Sequence, residues 1–362
     1  MNLRFALLLV AAPALLATAC SSSSQGDVAC QGTVCDPKPI FATGFLSTTL
    51  VTSDAVYVAE SASGAIYAAD KPFRTARLLT PGGHRVGAFA RTSRGLYWTT
   101  PPVPQSDKTP PTPGMLSAFG EQATSAVTID AKLDNLGTIA AIDDTVYVAV
   151  QQGILRLAPD ATALDQALST SRPYALRAYG GALYWHNGLD TIFTWRPGDT
   201  KPTTLVEHAD VVDLLGGTTD YLGKPEPFAV DASGIYWIKE SLIGGGTLEH
   251  APLAGGAAAK LLDLTGYPET LALGDDAVYW TEADSGILPT KTTIKRSPKS
   301  APKTSAVVAV ITGDARGLQV MPEGLYIGVD PSFDDYDVMK LKFTRFAGPL
   351  LFLPKGVLGG AP

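Results

Sequence analysis

Val278-Tyr279-Trp280-Thr281-Glu282 is one copy of a phrase that recurs along the chain: an aliphatic residue, Tyr, then Trp or another aliphatic. The other copies are Val56-Tyr57-Val58, Leu96-Tyr97-Trp98, Val146-Tyr147-Val148, Leu183-Tyr184-Trp185, Ile235-Tyr236-Trp237 and Leu325-Tyr326-Ile327. Successive tyrosines stand 37 to 52 residues apart. A repeat of about 40 to 50 residues built from strand-forming residues marks propeller blades or a solenoid.

Working outward from each tyrosine gives the rest of the unit. Turn residues precede it, as in Ser53-Asp54, Gly180-Gly181 and Pro322-Glu323-Gly324; Gly, Asp and Ser tolerate the backbone of tight hairpins. An apolar run lies before the turn, such as Leu271-Ala272-Leu273, and two more follow the phrase, such as Thr191-Ile192-Phe193 and Thr204-Leu205-Val206. Four short strands, seven times over, predict an all-β fold: a seven-bladed β-propeller of four-stranded antiparallel blades over residues 38–362. The third and fourth strands of blades two and three are blurred. The recurring aromatics fit packing, because neighbouring residues of a strand point to opposite faces and each blade is covered on both.

Ring closure is readable in outline. Lys38 to Tyr57 aligns without a gap on Lys260 to Tyr279, with Ile40 on Leu262 and Asp54 on Asp276. Pro39 to Ala42 therefore reads as a fourth strand with no blade before it. At the other end, Val338-Met339-Lys340 reads as a third strand and Pro349 to Leu353 as a fourth. One end is surplus, and the N-terminal strand is expected to close the ring.

Residues 1–19 read as a targeting segment: Arg4, an apolar run from Phe5 to Leu16, then Ala17-Thr18-Ala19 before Cys20. Small residues directly before a cysteine resemble the lipobox of bacterial lipoproteins, with Leu16 one place early. That resemblance implies cleavage before Cys20, its lipidation, and no need of another anchor. An ordinary secretory signal cut near Ala19 is the alternative. Ser21 after the cysteine resembles the outer-membrane sorting pattern, so the expected location is the outer membrane of a cell envelope. Residues 20–37 are too polar to fold alone and read as a flexible tether. Within it, Cys30 and Cys35 are expected to form a disulfide in an oxidising compartment. A redox or metal role is the other possibility, but the spacing is not C-x-x-C and no His lies nearby.

Tyr97-Trp98-Thr99-Thr100 and Tyr279-Trp280-Thr281-Glu282 resemble the YWTD repeats of low-density-lipoprotein-receptor-like propellers. The likeness runs over roughly residues 38 to 355 and implies a propeller without implying an activity. The chain departs from that family in two ways. No unit carries Asp at the fourth position, Glu60 and Glu282 coming nearest, and the receptor family has six blades.

The net charge of −7 gives no footprint for nucleic acid. Long insertions at Thr99 to Gly114, Glu207 to Pro227, Glu282 to Thr292 and Val329 to Asp337 fall in connections expected on one face of the ring. A binding site is expected there, at the mouth of the central channel. Candidate residues are His84, Arg85, Arg172, Glu207, His208, Tyr267, Glu269 and Arg316. Asp330, Asp334, Asp335 and Asp337 supply oxygens of the kind Ca²⁺ prefers, without EF-hand spacing. No nucleophile elbow, P-loop or H-E-x-x-H occurs. The expectation is a monomeric, non-enzymatic binding or scaffold module, free of cofactor, for an envelope protein, peptide or glycan. The alternative is a propeller enzyme of the metal-dependent lactone hydrolase or lyase type.

Overall fold

Seven four-stranded antiparallel sheets follow one another along the chain, each ordered from its first strand to its fourth. A computed structural model describes residues 30–31, 34–35, 38–41, 46–60, 63–72, 76–102, 112–187, 190–209, 228–240, 244–284, 291–330, 336–337, 342–343 and 350–358. For 30–41, 46–47, 135–137, 240, 316, 330, 336–337 and 342–343 this is backbone alone. Blade one runs Leu46–Val51, Ala55–Glu60, Ile66–Asp70 and Ala76–Thr80. Blade six, the blade of the opening phrase, runs Tyr267–Leu273, Ala277–Ala283, Lys291–Pro298 and Ala306–Thr312. Blades two to five repeat the scheme from Phe89 to Leu264. No helix among the described residues is long and apolar enough to cross a membrane.

The repeated triplet is a two-sided wedge. Six of its tyrosines are buried, from Tyr326 at 1% exposed to Tyr57 at 6%, and Tyr97 is half-buried. Each joins an apolar cluster with the flanking residues of the next blade's triplet. Tyr147 packs with Leu183 and Trp185, Tyr184 with Ile235 and Trp237, and Tyr236 with Val278 and Trp280. Tyr326 meets Val56 and Val58, which carries the pattern from blade seven back to blade one. Strand alternation explains this: the tyrosine faces one neighbour, and the residues on either side of it face the other. Trp185, Trp237 and Trp280 are fully buried, each worth about 2–3 kcal/mol of transfer free energy.

The N-terminal strand does close the ring. Blade seven is Asp314–Met321, Gly324–Asp330, Leu350–Pro354 and Lys38–Phe41, with Lys38 opposite Phe352 and Phe41 opposite Leu350. Neither end is surplus. The strand that pairs with Gly324–Asp330 is Leu350–Pro354, which had been read as a fourth strand. Val338 to Lys340, read as the third, lie outside the described residues. Within the insertion between these strands, Tyr336-Asp337 pairs with Lys342-Phe343. After Leu350–Pro354 the chain turns into a short helix, Lys355–Leu358, whose Leu358 is buried between blades six and seven.

Within the segment read as a tether, Cys30-Gln31 pairs antiparallel with Val34-Cys35, and the second of these strands lies against Ala306–Thr312 of blade six. Cys20 lies outside the described residues.

Candidate functional site

Strand direction separates two faces. The ends of second and fourth strands and the starts of first and third strands lie on one, called the upper face here; the opposite ends make the lower face. Connections on the upper face include 81–88, 101–113, 207–227 and 331–349. Turns between first and second strands, on the lower face, are two or three residues each.

The lower face is pinned. Lys71 and Lys299 each follow a third strand, and their backbone N–H groups donate to the carbonyls of Asp54 (2.7 Å) and Asp276 (2.8 Å) in their own blades' turns. Their side chains reach back to the turn of the preceding blade. Lys71 pairs with Glu323 and Lys299 with Asp231. Each ammonium also sits over the ring of that blade's repeat tyrosine, 5.3 Å from Tyr326 and 5.9 Å from Tyr236, within cation–π range. Between blades two and three, Ser93 donates through N and Oγ to Asp144 at 2.8–2.9 Å. Lys355 occupies the place of Lys71 and Lys299 in blade seven, its N–H donating to the Glu323 carbonyl at 2.8 Å. Between it and the Asp275-Asp276 turn lies a cavity of about 130 Å³, also lined by Tyr279, Arg296 and Leu358.

On the upper face, the links between blades are stitched to the preceding blade's connection between second and third strands. Gly83 N–H donates to the Ser63 carbonyl (2.8 Å), Arg172 N–H to that of Gln151 (3.0 Å) and Ala209 N–H to that of Asp190 (2.6 Å). Between blades five and six, Gly245 N–H meets the Gly266 carbonyl. Four candidates named from sequence sit beside these stitches: His84, Arg172, His208 and Tyr267. The structure thus places three of them in links between blades and Tyr267 at the start of the first strand of blade six, all on one face. All four are exposed, Tyr267 by 37%. Arg172 and His208 hold positive φ, 44° and 58°. The Asp190 carboxyl is held below its ordinary range by hydrogen bonds from Thr191 and Asn187, with a smaller pull from His208. Arg85 is half-buried in the first link and Glu207 exposed in the fourth.

First strands are irregular near their upper ends. Register breaks fall between Leu46 and Thr48, Tyr174 and Arg177, Pro268 and Leu271, and Ala315 and Gly317. A threonine explains the break in blade six. Thr281, fully buried, accepts from the Thr270 N–H at 3.1 Å and lies 3.1 Å from the Thr270 hydroxyl. Thr99 does the same for the Ala88 N–H at 3.3 Å. This is what the third residue of the Tyr-Trp-Thr phrase contributes: it satisfies an N–H that the broken ladder leaves unpaired. Glu269, 7% exposed, lies inside the break of blade six. Arg316 lies inside that of blade seven and is described by its backbone.

Glu282 is the residue whose role sequence reasoning missed. Its Oε1 accepts from the Trp280 indole at 2.8 Å; its Oε2 accepts from Thr265 at 2.8 Å and Lys295 at 2.7 Å. Thr265 belongs to the link from blade five, so this carboxylate ties a blade to the strand before it. The signal was present in the acid two residues after Trp280 and the lysine facing that tryptophan across the hairpin.

Among the described residues, no group of three or more His, Cys, Asp or Glu is placed to hold a metal ion. Asp334 and Asp335 lie outside the described residues, and Asp330 and Asp337 are described by backbone. Asp330 stands opposite the buried Asp314 in register.

The ring and its two faces define the class: this is a seven-bladed β-propeller protein. No protein-family model matches it, and no curated protein does. Solved structures do. U3-55K matches with a TM-score of 0.57 at 11% identity, covering 88% of this chain and 100% of that one. YCF48 from Cyanidioschyzon merolae matches at 0.57 and 11%, covering 88% and 98%. The WD40 repeats of RRP9 match at 0.56 and 11%, also covering 88% and 98%. At such identity the likeness establishes the propeller and nothing finer.

Proposed function

We propose that this chain is a lipid-anchored, non-enzymatic propeller of a bacterial cell envelope that recognises a protein, peptide or glycan with its upper face. The observation that carries the reading is one-sidedness: every connection between blade strands that is eight residues or longer leaves the upper face. Such connections vary freely over a rigid scaffold and are where recognition concentrates. The lower face is held by short turns and ion pairs between blades, which suits support. Exposed His84, Arg172 and Tyr267 supply cationic, imidazole and aromatic contacts of the kind that recognition surfaces use. The lipobox-like Ala19-Cys20 and the YWTD-like repeats agree with an exported propeller on a tether.

Two comparisons test this. Cys20→Ser should move the protein from the membrane fraction to the soluble fraction of fractionated cells; unchanged membrane association sinks the anchor. Immobilised protein is then used to capture envelope extract, comparing wild type with His84→Ala/Arg172→Ala/Tyr267→Ala and with the lower-face variant Lys71→Ala. Loss of bound material for the triple variant alone supports the reading. Equal capture by all three chains overturns it.

A further inference from the structure

We propose that Cys30 and Cys35 are joined by a disulfide that makes the N-terminal hairpin a firm brace for the strand that closes the ring. The register carries the first half of the claim. Gln31 stands opposite Val34, with two residues between them, and Cys30 stands opposite Cys35. In a hairpin with a two-residue connection, the flanking pair exchanges hydrogen bonds, and the next pair outward is the non-hydrogen-bonded kind. Backbones approach most closely at such a pair, about 4.5 Å between Cα atoms, inside the roughly 4.4–6.8 Å that a disulfide spans. Residues directly opposite in an antiparallel pair also share a face of the sheet.

The second half concerns what the hairpin holds. The strand Val34-Cys35 lies against Ala306–Thr312, the outermost strand of blade six. Two residues later the chain enters Lys38–Phe41, the outermost strand of blade seven. The hairpin thus leans on blade six, and the strand that seals the ring, two residues further on, belongs to the adjoining blade seven. That seal is slender. Lys38–Phe41 is matched to its partner at three positions, with a register break between Pro39 and Phe41. Pro39 has no N–H to give to the ladder. The corresponding pairing has three matched positions in blade four and six in blade six. A lone two-stranded hairpin is itself marginal in water, so a cross-link is what turns it into a firm support for the closing strand.

The chemistry is a two-electron oxidation. One cysteine thiolate attacks a sulfur of a disulfide oxidant, such as glutathione disulfide or a protein disulfide, and expels one thiol. The second thiolate then attacks the mixed disulfide, expelling the other thiol. The two cysteines lose two protons and two electrons, and the oxidant is reduced to two thiols.

The test uses the full chain carrying Cys20→Ser, equilibrated with excess glutathione disulfide. Denatured protein should show no thiol reactive to maleimide, two after reduction, and a proteolytic fragment that links Cys30 to Cys35 within one chain. Free thiols, glutathione adducts on both cysteines, or a link between two chains overturns the cross-link. Amide hydrogen exchange then separates a brace from an idle bond. Reduction should speed exchange at least about threefold in 38–41 and 350–354 while 145–157 of blade three stays unchanged. The Cys30→Ser/Cys35→Ser variant should match the reduced protein whether or not reductant is present. A bond whose reduction leaves exchange in 38–41 unaltered overturns the brace.

Discussion

Lys299 and Asp231 join two blades at a site that is largely shielded, with 13% and 23% of their side chains exposed. Burial alone would raise the Asp231 carboxyl, but hydrogen bonds from Lys299 and Ser233 outweigh it and hold the group below its ordinary range. A carboxyl depressed in the folded state contributes stability above its unfolded value, near 3.9, and that contribution fades as pH falls through the folded value. Lys299→Met should therefore melt below wild type at pH 7, with the gap shrinking as pH falls below about 4. Calorimetry across that range checks it, and a gap independent of pH would deny the pair its role. Thr281 offers a second case at this scale. Thr281→Val keeps the shape and removes the acceptor of the buried Thr270 N–H, which should cost about 1–3 kcal/mol in urea unfolding.

Among elements, the connections of the upper face decide how blades sit together. Gly64, at φ 70°, comes so near the first link that an added Cβ would lie 2.0 Å from the His84 carbonyl oxygen. Gly83 also has positive φ, 137°, but has open space around it. Gly64→Ala should lower the melting temperature clearly more than Gly83→Ala; equal losses would mean that the close approach is unimportant. Which elements could be read in the sequence follows from the same geometry. Second strands were legible because both faces are covered, as in Ala277–Ala283, which is buried throughout. Outermost strands lean on the ring with little of their surface. Val127–Leu133 buries Leu133 alone, and Asp165–Ser169 buries Leu168 alone, so neither shows an apolar run. The third strand of blade seven was misplaced because the nineteen-residue connection 331–349 contains its own strand-like stretch. Of the candidate residues, Arg172 and Tyr267 were named from loop logic, and their place on the upper face follows from strand direction. The clamp at Glu282 was not, because its partners Thr265 and Lys295 become neighbours only after the sheet has paired.

For the molecule as a whole, stability depends on every blade having two neighbours. Seven apolar clusters span the junctions, and the last links Tyr326 to Val56 and Val58. Removing residues 1–44 would strip Leu350–Pro354 of its outer partner and expose an unpaired edge. Such edges recruit other chains, so the truncated protein should associate with rising concentration in sedimentation experiments while the full chain stays a single species. A monomeric truncation would show that the edge is protected by other means.

Because the strand beginning at Lys38 lies beside the one ending at Pro354, the polypeptide begins and finishes its circuit in the same sheet. A short peptide bridging those two points, with a new opening cut in the exposed Gly180-Gly181 corner of blade four, would leave the contacts between blades intact while moving the start of translation halfway round. The order in which the blades are synthesised could then be changed without changing the object they build, which would separate the demands of folding from those of the finished shape.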